Sequence, residues 1–124
     1  MTRRGALGGA ALQAALIFAL SARPGDAYPT VSLPGLDKVV HFALYAPLGG
    51  LLCLGLGGRV AWAALGGGLY GVTDELHQAF VPGRFPDAGD AAADVLGAAA
   101  GALFVARRRG RTQKDPAPGS GDAR

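Results

Sequence analysis

The chain has 124 residues, half of them apolar, with 21 glycines and a positive mean hydropathy. Charged residues make up 17%, against about 25% in an ordinary soluble domain, which favours membrane helices over a water-soluble core. The net charge of +3 sits chiefly near the two ends, beside apolar runs, so no nucleic-acid partner is expected; the single Cys53 excludes an internal disulfide framework or a cysteine-rich metal site.

Residues 5–22 form the first apolar run, just long enough to cross a hydrocarbon core of roughly 30 Å at 1.5 Å per residue. Arg3 and Arg4 precede it and Ala19-Leu20-Ser21-Ala22 closes it, so a cleaved signal peptide is the alternative to a retained span. Residues 23–36 hold Pro24, Gly25, Pro29, Pro34 and Gly35 and read as a loop. Residues 38–58 form the second predicted span, with Pro47 weakening or kinking it. Gly57-Gly58-Arg59 breaks the chain before a third span at residues 60–80. A turn-rich loop follows at 81–89, and the fourth span covers 90–106. Residues 1–106 therefore read as one membrane domain, an all-α four-helix transmembrane bundle. Residues 107–124 read as a basic, disordered cytoplasmic tail.

Four spans place both termini on one side. Arg3, Arg4, Arg59, Arg107, Arg108, Arg109, Arg111 and Lys114 share the terminal side, against Arg23, Lys38 and Arg84 on the other. That bias orients the bundle N-in and C-in. Asp26, Asp37, Asp74, Glu75, Asp87, Asp90 and Asp94 all gather at the opposite, outer end. The pairs Gly67/Gly71 and Gly97/Gly101 have the spacing that lets helices approach closely, read here as packing within the chain rather than dimerisation; the oligomeric state is left open.

The polar residues fall on helical faces. Asp37, His41 and Tyr45 are spaced i, i+4, i+8, placing His41 about 6 Å and Tyr45 about 12 Å below Asp37. Asp74, Glu75 and Gln78 lie near the outer end of the third span, with Tyr70 one turn deeper. Asp87, Asp90 and Asp94 share a face of the fourth, and Arg84 lies in the loop between. Such groups are too costly to face hydrocarbon and are expected to turn inward around a shared, outward-opening cavity. His41, Glu75 and Asp90 are the candidates for acid–base chemistry; Asp37, Tyr45, Gln78, Arg84, Asp87 and Asp94 are the candidates for ligand binding. Each has a plainer reading. Asp37 and Asp90 suit helix N-caps, His41 a satisfied core histidine, and His77 the interface. Arg84 suits a loop ion pair with Asp87 or Glu75, and Lys38 suits snorkelling to headgroups. No spacing demands a metal, and no metal or cofactor is expected; a His41, His77, Glu75, Asp90 set stands as the open alternative. Ser32, Thr73 and Cys53 are the hydroxyls and thiol considered as nucleophiles, and none has an evident partner.

Asp37-Lys38-x-x-His41-Phe42-x-x-Tyr45 resembles the second-helix signature of the VanZ-like membrane proteins. So does Asp74-Glu75-x-x-Gln78-x-Phe80-x-Pro82-Gly83-Arg84, followed by Asp90-x-x-x-Asp94-x-x-Gly97. The resemblance covers about residues 5–106. Asp94 departs from it, standing where the family usually carries asparagine, and adds a charge to the cavity or is held protonated. The resemblance implies a multi-pass protein of the bacterial cytoplasmic membrane, in a family named after a protein associated with teicoplanin resistance. It makes a lipid-linked cell-wall precursor or a lipid-tailed glycopeptide the natural ligand. A non-catalytic scaffold that assists a partner is the second reading. A small transporter or proton relay is the third, disfavoured because no comparable acid stands in the inner half.

Overall fold

A computed structural model describes residues 1–28 and 33–114. Expectations about Pro29, Ser32 and residues 115–124 lie outside the described residues. Among those described, four α-helices and no strand are present: α1 (Arg3–Ser21), α2 (Leu36–Gly55), α3 (Val60–Gln78) and α4 (Ala88–Lys114), with a 3-10 turn at Gly25–Ala27. The all-α bundle expected from the apolar runs is the observed architecture.

Each helix begins and ends for a local reason. Thr2 caps α1 by accepting a hydrogen bond from the Gly5 N–H at 3.1 Å. Gly35, at φ 80°, turns the chain into α2, a conformation that a side chain would resist. α2 runs unbroken through Pro47, which leaves the Ala43 carbonyl without its usual N–H partner. Gly57 and Gly58, both at positive φ, reverse the chain between α2 and α3. α4 starts two residues earlier than expected and continues past 106 to Lys114, so Arg107, Arg108, Arg109 and Arg111 are helical.

α4 packs most extensively on α2, then on α3, while α1 lies against α2. The α2–α4 seam depends on absent side chains. A Cβ at Gly101 would fall 1.8 Å from the Ala46 carbonyl oxygen, and one at Gly49 would fall 1.9 Å from that of Ala98. Gly67 and Gly71 meet α4 at Ala98 and Asp94. Both small-residue pairs thus serve packing within the chain, as expected. Ala10, Ile17, Tyr45 and Leu48 form one buried cluster, and Cys53, Ala63 and Ala102 another.

The bundle is inverted relative to a soluble protein: Leu12, Phe18, Trp62, Leu69, Leu96 and Phe104 are each more than half exposed. α1, α2 and α4 are long and apolar enough to cross a membrane. α3 falls short of that composition because Asp74, Glu75 and His77 stand in its last turns. Its outward face is nevertheless apolar, with Trp62, Leu65, Leu69, Val72 and Leu76 exposed at alternating spacings of three and four. The acids gather where α1 and α3 end and where α2 and α4 begin. Arg3, packed beside Gly57, and the α4 arginines mark the other end.

Candidate functional site

His41 is the centre of the polar end. Its Nδ1 lies 2.8 Å from Asp94 Oδ1 and 4.0 Å from Glu75 Oε1, and its Nε2 lies 3.5 Å from Asp90 Oδ2. With Asp94 as a carboxylate, the short contact puts a proton on Nδ1 and turns Nε2 toward Asp90. The side chains of His41 and Asp90 keep 15% and 12% of their exposure, and that of Asp94 keeps none. The cluster is therefore sunk in the bundle but reachable. Gly71 makes room for it: a Cβ there would strike the Asp94 side chain at 2.5 Å.

Lys38 forms the rim. Its Nζ stands 3.0 Å from Asp37, 3.0 Å from Asp87 and 3.2 Å from Asp90. It does not snorkel away; it bridges α2 to the start of α4. The ammonium holds the Asp87 carboxyl below the usual carboxylate range, with help from the Gly89 N–H. Glu75 completes the closure: its Oε2 accepts the Asp87 N–H at 2.9 Å, while its Oε1 is buried with no hydrogen-bond partner among the described residues.

The capping roles offered for Asp37 and Asp90 are not the ones observed. α2 starts at Leu36, and Asp37 lies in its first turn, bonded to Lys38. Asp87 caps α4, its Oδ1 accepting the Gly89 N–H at 2.7 Å. Asp90 is thereby left to face His41 and Lys38.

A second polar cluster joins α1 to α3. The Ser21 hydroxyl donates to Asp74 Oδ2 at 2.6 Å, and Gln78 Nε2 reaches both partners at 3.5 and 3.4 Å. Gln78 thus belongs with Ser21 and Asp74 and makes no hydrogen bond to the His41 cluster. Tyr45 is 1% exposed and lies in the core beside Ile17 and Leu48, its hydroxyl without a hydrogen-bond partner among the described residues. His77 turns away to stack on Phe18, with ring centroids 4.6 Å apart. Arg84 makes no ion pair among the described residues; its guanidinium lies 5.0 Å from the Tyr28 ring centroid, on the loop side of the bundle. Tyr28 itself is tied to the Leu20 carbonyl, and the Gly25 N–H donates to the Pro82 carbonyl at 3.0 Å. Thr73 donates to the Tyr70 carbonyl within its own helix, and Cys53 is buried in the apolar core.

The structure therefore unites His41, Glu75, Asp90 and Asp94 in one cluster, with Asp37 and Asp87 at its rim. It adds Lys38 and Ser21 to the polar groups that matter. The long stem of Lys38 reaches either the headgroups or an acid across the bundle, so its local sequence permits both positions. Ser21 gave no signal beyond a lone hydroxyl ending an apolar run.

A family model described as VanZ/LLP1 matches residues 9–109, which takes in all of α2 and α3, most of α1 and α4, and every member of both polar clusters. No curated protein and no solved structure matches the chain.

Proposed function

The chain belongs to the VanZ/LLP1 family, and from that premise we propose that its polar pocket binds an amphiphilic ligand of the bacterial cell envelope. In this reading the protein sits in the bacterial cytoplasmic membrane with both termini inside and the pocket at the outer surface. The ligand is a lipid-linked cell-wall precursor or a lipid-tailed glycopeptide, and the activity bears on antibiotic resistance.

The observation that carries this reading is the buried imidazole with carboxylates at both ring nitrogens, open to the surface through Lys38. A histidine so flanked can take up or release a proton while its charge stays compensated, which suits acid–base chemistry by His41, Glu75 and Asp90. An apolar groove of about 740 Å³ supports the amphiphilic character of the ligand. It runs between α2 and α4 past Ala43, Ala46, Pro47, Gly50, Leu51 and Phe104. Its upper end, at Ala43, stands two residues along α2 from His41 but about 200° around the helix, so the groove is a separate apolar surface near the cluster on which an acyl chain can lie. Arg84, outside the ion pairs, supplies a cation on the loop side for an anionic headgroup. Glutamine at Glu75 and asparagine at Asp90 should abolish the effect on glycopeptide susceptibility at unchanged membrane abundance. Unchanged susceptibility at normal abundance removes this reading.

One observation favours a non-catalytic scaffold instead. Lys38 and Glu75 stitch α2, α3, α4 and the intervening loop together, as structural glue would. In that case the same substitutions lower abundance and leave the activity per molecule intact.

A further inference from the structure

We infer that the pocket holds a divalent transition-metal ion, ligated by His41, Glu75 and Asp90, with Asp94 positioning the imidazole. The inference rests on the reading of this cluster as a binding site and names its cofactor.

One ligand atom from each of His41, Glu75 and Asp90 lies within 4.8 Å of the others. His41 Nε2 and Asp90 Oδ2 are 3.5 Å apart, close to the roughly 3.4 Å that separates two ligands of a tetrahedral ion bound at about 2.1 Å. Asp94 holds the other ring nitrogen at 2.8 Å. A carboxylate behind a histidine is the usual way a protein fixes the tautomer that leaves the second nitrogen free to ligate.

Two independent observations favour a cation at this place. Glu75 is 5% exposed, and its Oε1, 4.0 Å from His41 Nδ1, has no hydrogen-bond partner among the described residues. Buried carboxylate oxygens are normally paired or bound to metal. Charge makes the same point. Asp37, Glu75, Asp87, Asp90 and Asp94 meet only Lys38 and His41 in this cluster, and Lys38 is already shared among Asp37, Asp87 and Asp90. That sharing also separates this site from the nearby Asp37, Asp87, Asp90 group: there the ammonium already stands within 3.2 Å of every carboxylate. One imidazole nitrogen with two carboxylates suits Zn²⁺ or Mn²⁺ better than Mg²⁺ or Ca²⁺, which favour all-oxygen shells.

The test uses the full chain purified in detergent, stripped with a chelator and dialysed against Zn²⁺ or Mn²⁺. We expect about one ion per chain. The Mn²⁺-loaded protein should show imidazole-nitrogen coupling in pulsed electron paramagnetic resonance. Glu75→Gln should weaken binding by at least about tenfold and Asp94→Asn by a smaller factor, while Asp26→Asn, at an exposed acid outside both polar clusters, should leave it unchanged. No stoichiometric ion, no nitrogen coupling in the unsubstituted protein, or full affinity in Glu75→Gln would each overturn the inference. If Glu75→Gln does not fold, the nitrogen coupling decides alone. A metal-binding protein that ignores amphiphiles would keep this inference and remove the ligand reading; a chelator-stripped protein that binds amphiphiles but no ion would do the reverse.

Discussion

His41 on α2 and Asp94 on α4 meet at 2.8 Å, and the aspartate is wholly buried beneath the histidine. The contact has a purpose for each side chain. It fixes which ring nitrogen carries the proton, and it gives one oxygen of a deeply buried carboxylate a donor; the other, Oδ2, has none. An amide oxygen can accept from the same nitrogen. Asp94→Asn is therefore expected to fold and to melt within a few degrees of the unsubstituted protein. Asp94→Ala leaves the His41 donor unpaired and should cost about 1–3 kcal/mol. Thermal melting of the two variants in the same detergent checks this.

Lys38 should give the cluster a signature in pH. Asp87 is held below the ordinary carboxylate range by the ammonium, so its contribution to stability is present above that ordinary value, about 3.9, and is lost as pH falls through the lower folded value. Lys38→Met removes the cause. The melting temperatures of the two proteins should differ at neutral pH and converge in acid. A gap that stays constant from neutral pH to about pH 3 would contradict the pairing.

Ser21→Ala should loosen α1 from the rest of the bundle. The change removes the short hydrogen bond to Asp74 and leaves that buried carboxylate with Gln78 alone among its described partners. We expect a loss of about 1–3 kcal/mol, with faster proteolysis of the segment around residues 22–28. An unchanged melting curve would show that the α1–α3 contact contributes little.

The α2–α4 seam offers a steric test with an internal control. Gly101→Ala places a methyl group where the Ala46 carbonyl stands, so the helices must separate; a loss of at least about 1–3 kcal/mol, or no folded protein, is expected. Gly8→Ala meets nothing within 4 Å and should be neutral or stabilising by about 0.5–1 kcal/mol. Equal melting of both variants would place the seam elsewhere.

Much of this arrangement was legible in the order of residues. The cost of acids in apolar helices, with the i, i+4 spacing, is enough to turn His41, Glu75, Asp90 and Asp94 toward one another. The glycine pairs announced close helix contact. What stayed hidden depends on partners distant in the chain. Lys38 bridges because Asp87 and Asp90 arrive 49 and 52 residues later, which its own neighbourhood does not reveal. Arg84 rests on Tyr28 because two loops meet at Gly25 and Pro82. Gln78 and His77 are adjacent, yet about 100° of helical rotation sends one to Ser21 and the other to Phe18. The capping reading of Asp90 misses by one turn: Asp87 and Asp90 both suit an N-cap, and only the start of α4 at Ala88 decides between them.

The most direct test is ligand binding by purified protein in lipid nanodiscs, using a lipid-linked cell-wall precursor. Unsubstituted protein is compared with a Glu75→Gln variant of matched melting temperature. We expect saturable binding that the substitution weakens by about tenfold or more, since Glu75 stands beside His41 in the buried cluster. Equal affinity of the two proteins, or no binding by the unsubstituted one, would contradict the claim that this buried cluster is a site rather than a brace.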